Sequence, residues 1–136
     1  YVVPLGKADV KRAGTDVTLV AYSSMLKPAL VAADKLAEQG IQAEVIDLRS
    51  LRPLDTDTVV ASVKKTNRLV MVEEGWRSYG IGAEVTARVQ EEAFDWLDAP
   101  IKRVAGKEVP MPYAKNLEKL CIPTDADIVA TALSIL

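Results

Sequence analysis

Histidine is absent from the sequence, and cysteine occurs once, as Cys121. These two scarcities exclude more chemistry than any other feature of the composition. A Ser-His-Asp triad, a Cys–His pair and a His/Cys zinc site all need residues the chain does not contain. A lone thiol forms no internal disulfide, which agrees with a reducing compartment. Cys121 lies in "LEKLCIP" and reads as a small apolar packing residue, with a redox role as the alternative. A basic surplus is also missing: 17 Lys and Arg face 19 Asp and Glu, so nothing in the charge points to nucleic acid. No apolar run approaches the ~20 residues of a membrane helix, and no signal peptide is visible. The chain opens on Tyr1 rather than Met, as expected of a processed protein or a piece of a longer one. Carboxylates and lysines remain as groups able to move protons.

What is present suits one domain. The 136 residues, 49% of them hydrophobic, suffice for a core without disulfides or metals. Residues 1–16 read as an entry linker in which "ADVKR" offers a short edge strand. Residues 17–136 read as the domain proper. "VTLVAY" (17–22), "AEVIDL" (43–48), "RLVMVEE" (68–74) and "IKRVA" (101–105) are short apolar runs of the kind buried on both faces of a sheet. Helical spacing lies between them. Leu26, Leu30, Ala33 and Ala37 mark a helix that Ser23 or Ser24 can cap and Gly40 ends. Val59, Val60 and Val63 mark a second helix, capped by Asp55 or Thr56. A third is predicted from about Gly80 to Leu97. The stretch after residue 105 reads as a loop, and "TDAD" (124–127) has the capping-box pattern before a final apolar helix. Alternating strands and helices predict an α/β fold, a parallel sheet with helices on both faces and right-handed crossovers.

The segment "EEGWRSYGIGAEV" (73–85) has the strand, glycine turn and helix layout that holds phosphates in nucleotide-binding proteins. The detail disagrees. The dinucleotide fingerprint needs Gly or Ala where Val85 stands, no acid stands at the tip of the following strand, and no Gly-Lys-Ser/Thr is present. Gly75, Gly80 and Gly82 are therefore read as turn and packing glycines. Trp76 and Tyr79 offer flat surfaces suited to another chain, or else cap the domain's own core edge. Glu73 and Glu74 end a central strand, the usual functional end of such a sheet, but neighbours in a strand point to opposite faces and do not share a proton. Glu91, Glu92, Asp95 and Asp98 crowd the end of the third predicted helix against its dipole. Glu91, Asp95 and Asp98 are spaced to share one face, either as a solvated surface or as a dock for a basic partner.

"DVTLVAYSSMLKPALVAADKLAEQGIQAEVIDLRSLRPLD", "SVKKTNRLVMVEEGW" and "GIGAEVTARV" closely resemble the C-terminal domain of β subunits of 2-oxo-acid dehydrogenase E1 components, within the transketolase C-terminal family. The resemblance covers nearly the whole chain. "EVPMPYAKNLE" (108–118) looks like the pyruvate dehydrogenase members, with Glu108 where Asp is usual; branched-chain or acetoin dehydrogenases are the alternative, and a free-standing α/β binding domain is a third. The resemblance implies a three-layer α/β/α fold with five strands, mostly parallel, and an antiparallel edge strand. It implies pyruvate decarboxylation on thiamine diphosphate with magnesium, in bacterial cytoplasm or mitochondrial matrix, and transfer of the two-carbon unit to an E2 lipoyl group. No catalytic, cofactor or metal residue of the family has a matching position here. The expected partners are an E1 α subunit, a second E1 β subunit and the E2 subunit-binding domain. Gly75, Trp76, Tyr79, Gly80 and Gly82 are expected at the subunit interface. Asp98, Leu136, Glu91 and Asp95 are expected at the E2 dock, the Leu136 carboxylate included if the natural chain ends there.

Overall fold

The computed structural model describes all residues, 1–136. Five strands form one sheet: β1 (Asp9–Arg12), β2 (Val17–Ala21), β3 (Ala43–Asp47), β4 (Leu69–Trp76) and β5 (Lys102–Gly106). Their order is β1-β3-β2-β4-β5, with β1 antiparallel at the edge and the other pairs parallel. β2 is central, and all five of its residues are buried. That is why "VTLVA" shows no polar alternation: both of its faces meet helices.

Helices α1 (Leu26–Glu38) and α5 (Asp125–Leu133) cover one face. Ala29, Ala32, Ala33 and Leu36 of α1, with Ile128 and Ala132 of α5, pack on Val17, Leu19, Val45, Val70 and Val72. The small alanines let α1 lie close to the sheet. Helices α2 (Thr56–Thr66) and α3 (Ile81–Ala93) cover the other face, where Val59, Val63, Val85 and Val89 pack on Val20, Ile46, Leu69 and Met71.

Local chemistry sets the boundaries. Asp55 caps α2, accepting from the Thr58 amide at 3.3 Å, and Asn67 ends it in the left-handed region. Thr124 and Asp127 form the reciprocal capping box that opens α5. Two expectations need correction. The third helix does not run to Leu97. It stops at Ala93, and a 3-10 turn, Phe94–Trp96, follows. Carboxylates at 91, 92 and 95, with no basic residue in the last turn, oppose the helix dipole there. The segment read as a loop also holds a short helix, α4 (Lys115–Cys121).

Candidate functional site

After β2 the chain crosses over to β3 on one side, and then returns past β2 to β4 on the other. The crevice between the carboxyl ends of β2 and β4 is thus the switch point where open α/β sheets place their sites. A cavity of about 390 Å³ opens there, between Tyr22–Ser24 and Glu74–Trp76, with Met111 and Cys121 on its far wall. Cys121 is a free, buried thiol.

The two carboxylates beside this crevice face apart. Glu74 is exposed and bonded to the Ser24 hydroxyl. Glu73 is fully buried. Its Oε2 accepts the Gly82 amide at 2.8 Å, the Tyr22 hydroxyl lies 3.5 Å away, and the Arg103 guanidinium is 3.7 Å from Oε1. Burial raises the Tyr22 phenol above its ordinary value, and the Glu73 charge raises it further. The glycine-rich turn therefore does hold an anion at a helix N-terminus, and that anion is the chain's own carboxylate.

Gly80 and Gly82 give the carboxylate room. A Cβ on Gly80 would meet the Trp76 carbonyl at 2.5 Å, and one on Gly82 would meet Glu73 Oε1 at 2.9 Å. Both are packing glycines inside the chain, whereas Gly75 is open on its surface. Trp76 and Tyr79 project outward, Tyr79 fully exposed. Ser23, which lines the crevice, and Tyr79, beyond the end of β4, hold φ of 54° and 57°. Left-handed backbone costs a non-glycine residue about 1 kcal/mol, and such strain gathers at functional surfaces. The surface extends beyond the expected residues. Trp76 Nε1 donates to the Val109 carbonyl at 3.3 Å, and the Ser78 amide donates to Glu108 at 2.8 Å, tying the 106–113 loop alongside. Met111, Tyr113, Leu117 and Leu120 are exposed there as well. The only sequence signal for these four was an apolar residue every few positions in a proline-rich stretch.

The acidic cluster lies at the opposite end of the sheet. Because α3 ends at Ala93, Glu91, Asp95 and Asp98 do not continue one helical face, which corrects that expectation. Asp98 is placed instead by its amide, which donates to the Asn67 carbonyl at 2.9 Å. The next residue, Arg68, donates from Nε to the Ile135 carbonyl at 2.8 Å. Asp98 and the Ile135–Leu136 segment thus meet around one loop, Asn67–Arg68. No group of three His, Cys, Asp or Glu side chains stands close enough to hold a metal ion.

A model of the family described as "Transketolase, C-terminal domain" matches residues 6–128. The chain is 56% identical over 132 residues to the "Pyruvate dehydrogenase E1 component subunit beta-2, mitochondrial" of Oryza sativa subsp. japonica, covering 97% of this chain and 35% of that one. It is 54% identical over 127 residues to the "Pyruvate dehydrogenase E1 component subunit beta" of Rickettsia felis, covering 93% and 39%. Among solved structures, "Split gene transketolase, inactive beta4 tetramer" superposes with a TM-score of 0.85 at 32% identity, over 96% of this chain and 42% of that one. The chain spans little more than a third of the curated relatives it matches.

Proposed function

Because the chain belongs to the transketolase C-terminal domain family, we infer that it serves as the C-terminal domain of a pyruvate dehydrogenase E1 β subunit, in a bacterial cytoplasm or a mitochondrial matrix. In that enzyme pyruvate is decarboxylated with thiamine diphosphate and magnesium, and the acetyl unit passes to the lipoyl group of E2. The identity to the named β subunits of Oryza and Rickettsia supports the reading. The residues here do not fit that cofactor. The glycine turn whose layout suits a diphosphate holds Glu73 instead, and no cluster of metal ligands accompanies it. The contribution assigned to this domain is therefore assembly and docking.

The observation that carries this reading is the exposed aromatic surface at the carboxyl end of the sheet, where Tyr79 and Tyr113 project fully into solvent beside the half-exposed Trp76. Aromatic side chains in such a setting are typical anchors between subunits. The E1 α subunit and a second β subunit are assigned to this end. The basic E2 subunit-binding domain is assigned to the Asp98–Leu136 corner at the other end. Two experiments test the assignment. Calorimetry of the chain with thiamine diphosphate should show no magnesium-dependent binding; a micromolar, magnesium-dependent Kd would sink the division of labour. Reconstitution with the preceding part of the β subunit and the α subunit should yield a defined complex, and replacing both Tyr79 and Tyr113 with Ser should weaken it while the chain's own melting is unchanged.

A further inference from the structure

Beside the crevice lies a second cavity of about 460 Å³, between the end of β5 and the start of α5. Arg77, Arg103 and Lys107 stand around it, and the apolar side chains of Leu120, Ile122 and Pro123 form one wall. The two carboxylates of its lining, Glu108 and Asp127, are both engaged. Glu108 accepts the Ser78 amide, and Asp127 accepts the amide and hydroxyl of Thr124 at 2.8 and 3.0 Å. The bonds from Ser78, and then the Arg77 and Arg103 charges, hold the Glu108 carboxyl below its ordinary value, so these cations are partly balanced without a direct ion pair. Arg77 and Lys107 form no ion pair within the chain. Arg103 is mostly buried and reaches Glu73 only at 3.7 Å. One Arg103 Nη donates to the Arg77 carbonyl, and neither its buried Nε–H nor the neighbouring Glu73 Oε1, 3.7 Å from the guanidinium, has a hydrogen-bond partner. A buried guanidinium donor without a partner is costly unless something supplies an acceptor.

We propose that this cavity binds a small organic phosphate, its phosphate among Arg77, Arg103 and Lys107 and its organic part along Leu120, Ile122 and Pro123. The volume lies within the range of ligand pockets. Guanidinium groups suit phosphate oxygens because they offer several N–H donors in one plane. The apolar wall separates this ligand from free inorganic phosphate, which has nothing to lay against it. The cavity holds no cluster of three or more potential metal ligands, so the proposed phosphate would be held by cations of the chain and not through a metal ion. It stands whether or not the assembly reading above is correct.

The test is titration of the chain, without magnesium and at constant ionic strength, with ADP, inorganic phosphate and adenosine, followed by amide NMR and calorimetry. ADP is expected to shift the amides of Arg77, Gly106 and Lys107, to bind more tightly than inorganic phosphate, and to outcompete adenosine. Arg77→Ala and Lys107→Ala should each weaken ADP by about tenfold or more, since each removes a charge-assisted contact. Both side chains are exposed and unpaired, so both variants should fold. Binding of inorganic phosphate equal to that of ADP would overturn the organic-ligand assignment. Parent-like binding by both variants, or no localised shift with ADP, would overturn the site; the cations would then belong to a protein contact.

Discussion

At the scale of single residues, Glu73 organises the carboxyl end of the sheet. It is fully buried, yet it is bonded to the Gly82 amide and lies near Tyr22 and Arg103. Replacing it with Ala leaves an amide without its acceptor and a guanidinium without its counter-charge, so the loss should be about 3 kcal/mol, read from urea denaturation. Gly80→Ala should cost more than Gly82→Ala. At 80 the new methyl meets a backbone carbonyl at 2.5 Å and Glu73 Oε1 at 2.6 Å, whereas at 82 it meets side-chain atoms of Glu73 and Met71 at 2.9 Å or more. Equal midpoints for the two variants would contradict this. Tyr22 adds a pH signature. Burial and the Glu73 charge raise its phenol above 10.0, so the folded chain keeps that proton longer than the unfolded chain. The resulting stability is complete below about pH 10 and is lost as pH climbs through the folded value. Difference absorbance should show a phenol that titrates late, and Tyr22→Phe should remove that late component. The glycine pattern around Glu73 was legible in the sequence, but its occupant was not. Whether Glu73 or Glu74 turns inward depends on which strand face the third helix covers, and a strand buried on both sides does not encode that choice.

At the scale of elements, the strands and most caps were legible because each rests on local chemistry. "VTLVA" and "AEVI" are buried throughout because helices cover both faces, with Thr18 and Glu44 as the polar exceptions, and Asp55 and Thr124 are side chains that satisfy free amides. The failures are equally specific. Val85, Val89, Ala93 and Leu97 keep a four-residue spacing past the true helix end, so periodicity alone overran the break that the acids impose at Ala93. Short α4 has no side-chain cap and exposes Leu117 and Leu120, so it carries neither a start signal nor an apolar stripe facing the core. Asp55 links two elements: besides capping α2 it accepts the Ala8 amide at 2.9 Å, just before β1. Asp55→Ala should therefore cost about 1–2 kcal/mol or more and loosen the edge strand, seen as faster amide exchange in β1. Burial alone would raise the Asp55 carboxyl. The bonds from Ala8 and Thr58 prevail and hold it below 3.8. A depressed carboxyl contributes stability above its unfolded value and loses it as pH falls through the folded one. The parent should thus weaken progressively below about pH 4, and Asp55→Asn should flatten that part of the curve.

At the scale of the whole molecule, the sheet separates two surfaces. Its carboxyl end presents aromatic side chains, and at its amino end the Asn67–Arg68 loop is bonded both to the Asp98 amide and to the Ile135 carbonyl. This separation leaves the two ends free to be covered at the same time by two different partners under the proposed function. The spacing of the acids suggested a common helical face from the sequence, and that face does not exist. Two backbone-directed bonds bring the corner together instead, from the Asp98 amide to the Asn67 carbonyl and from Arg68 to the Ile135 carbonyl. The Asp98 carboxylate takes no part in either bond and remains exposed. A Lys or Arg of a basic partner can therefore pair with it without displacing any contact that holds the corner. If that pair is desolvated on docking, removing the charge costs about 2–5 kcal/mol, whereas an exposed rim charge mainly changes the association rate. Asp98→Asn should weaken binding of the E2 subunit-binding domain and leave melting unchanged, because the amide bond to Asn67 survives. Arg68→Gln should weaken it as well, by releasing the Ile135 carbonyl. Titrations at two salt concentrations separate the cases: a desolvated pair keeps most of its effect at high salt, and a rim charge loses it. If both variants bind E2 as the parent does, the dock lies elsewhere on the molecule and the acids at this corner are a solvated surface.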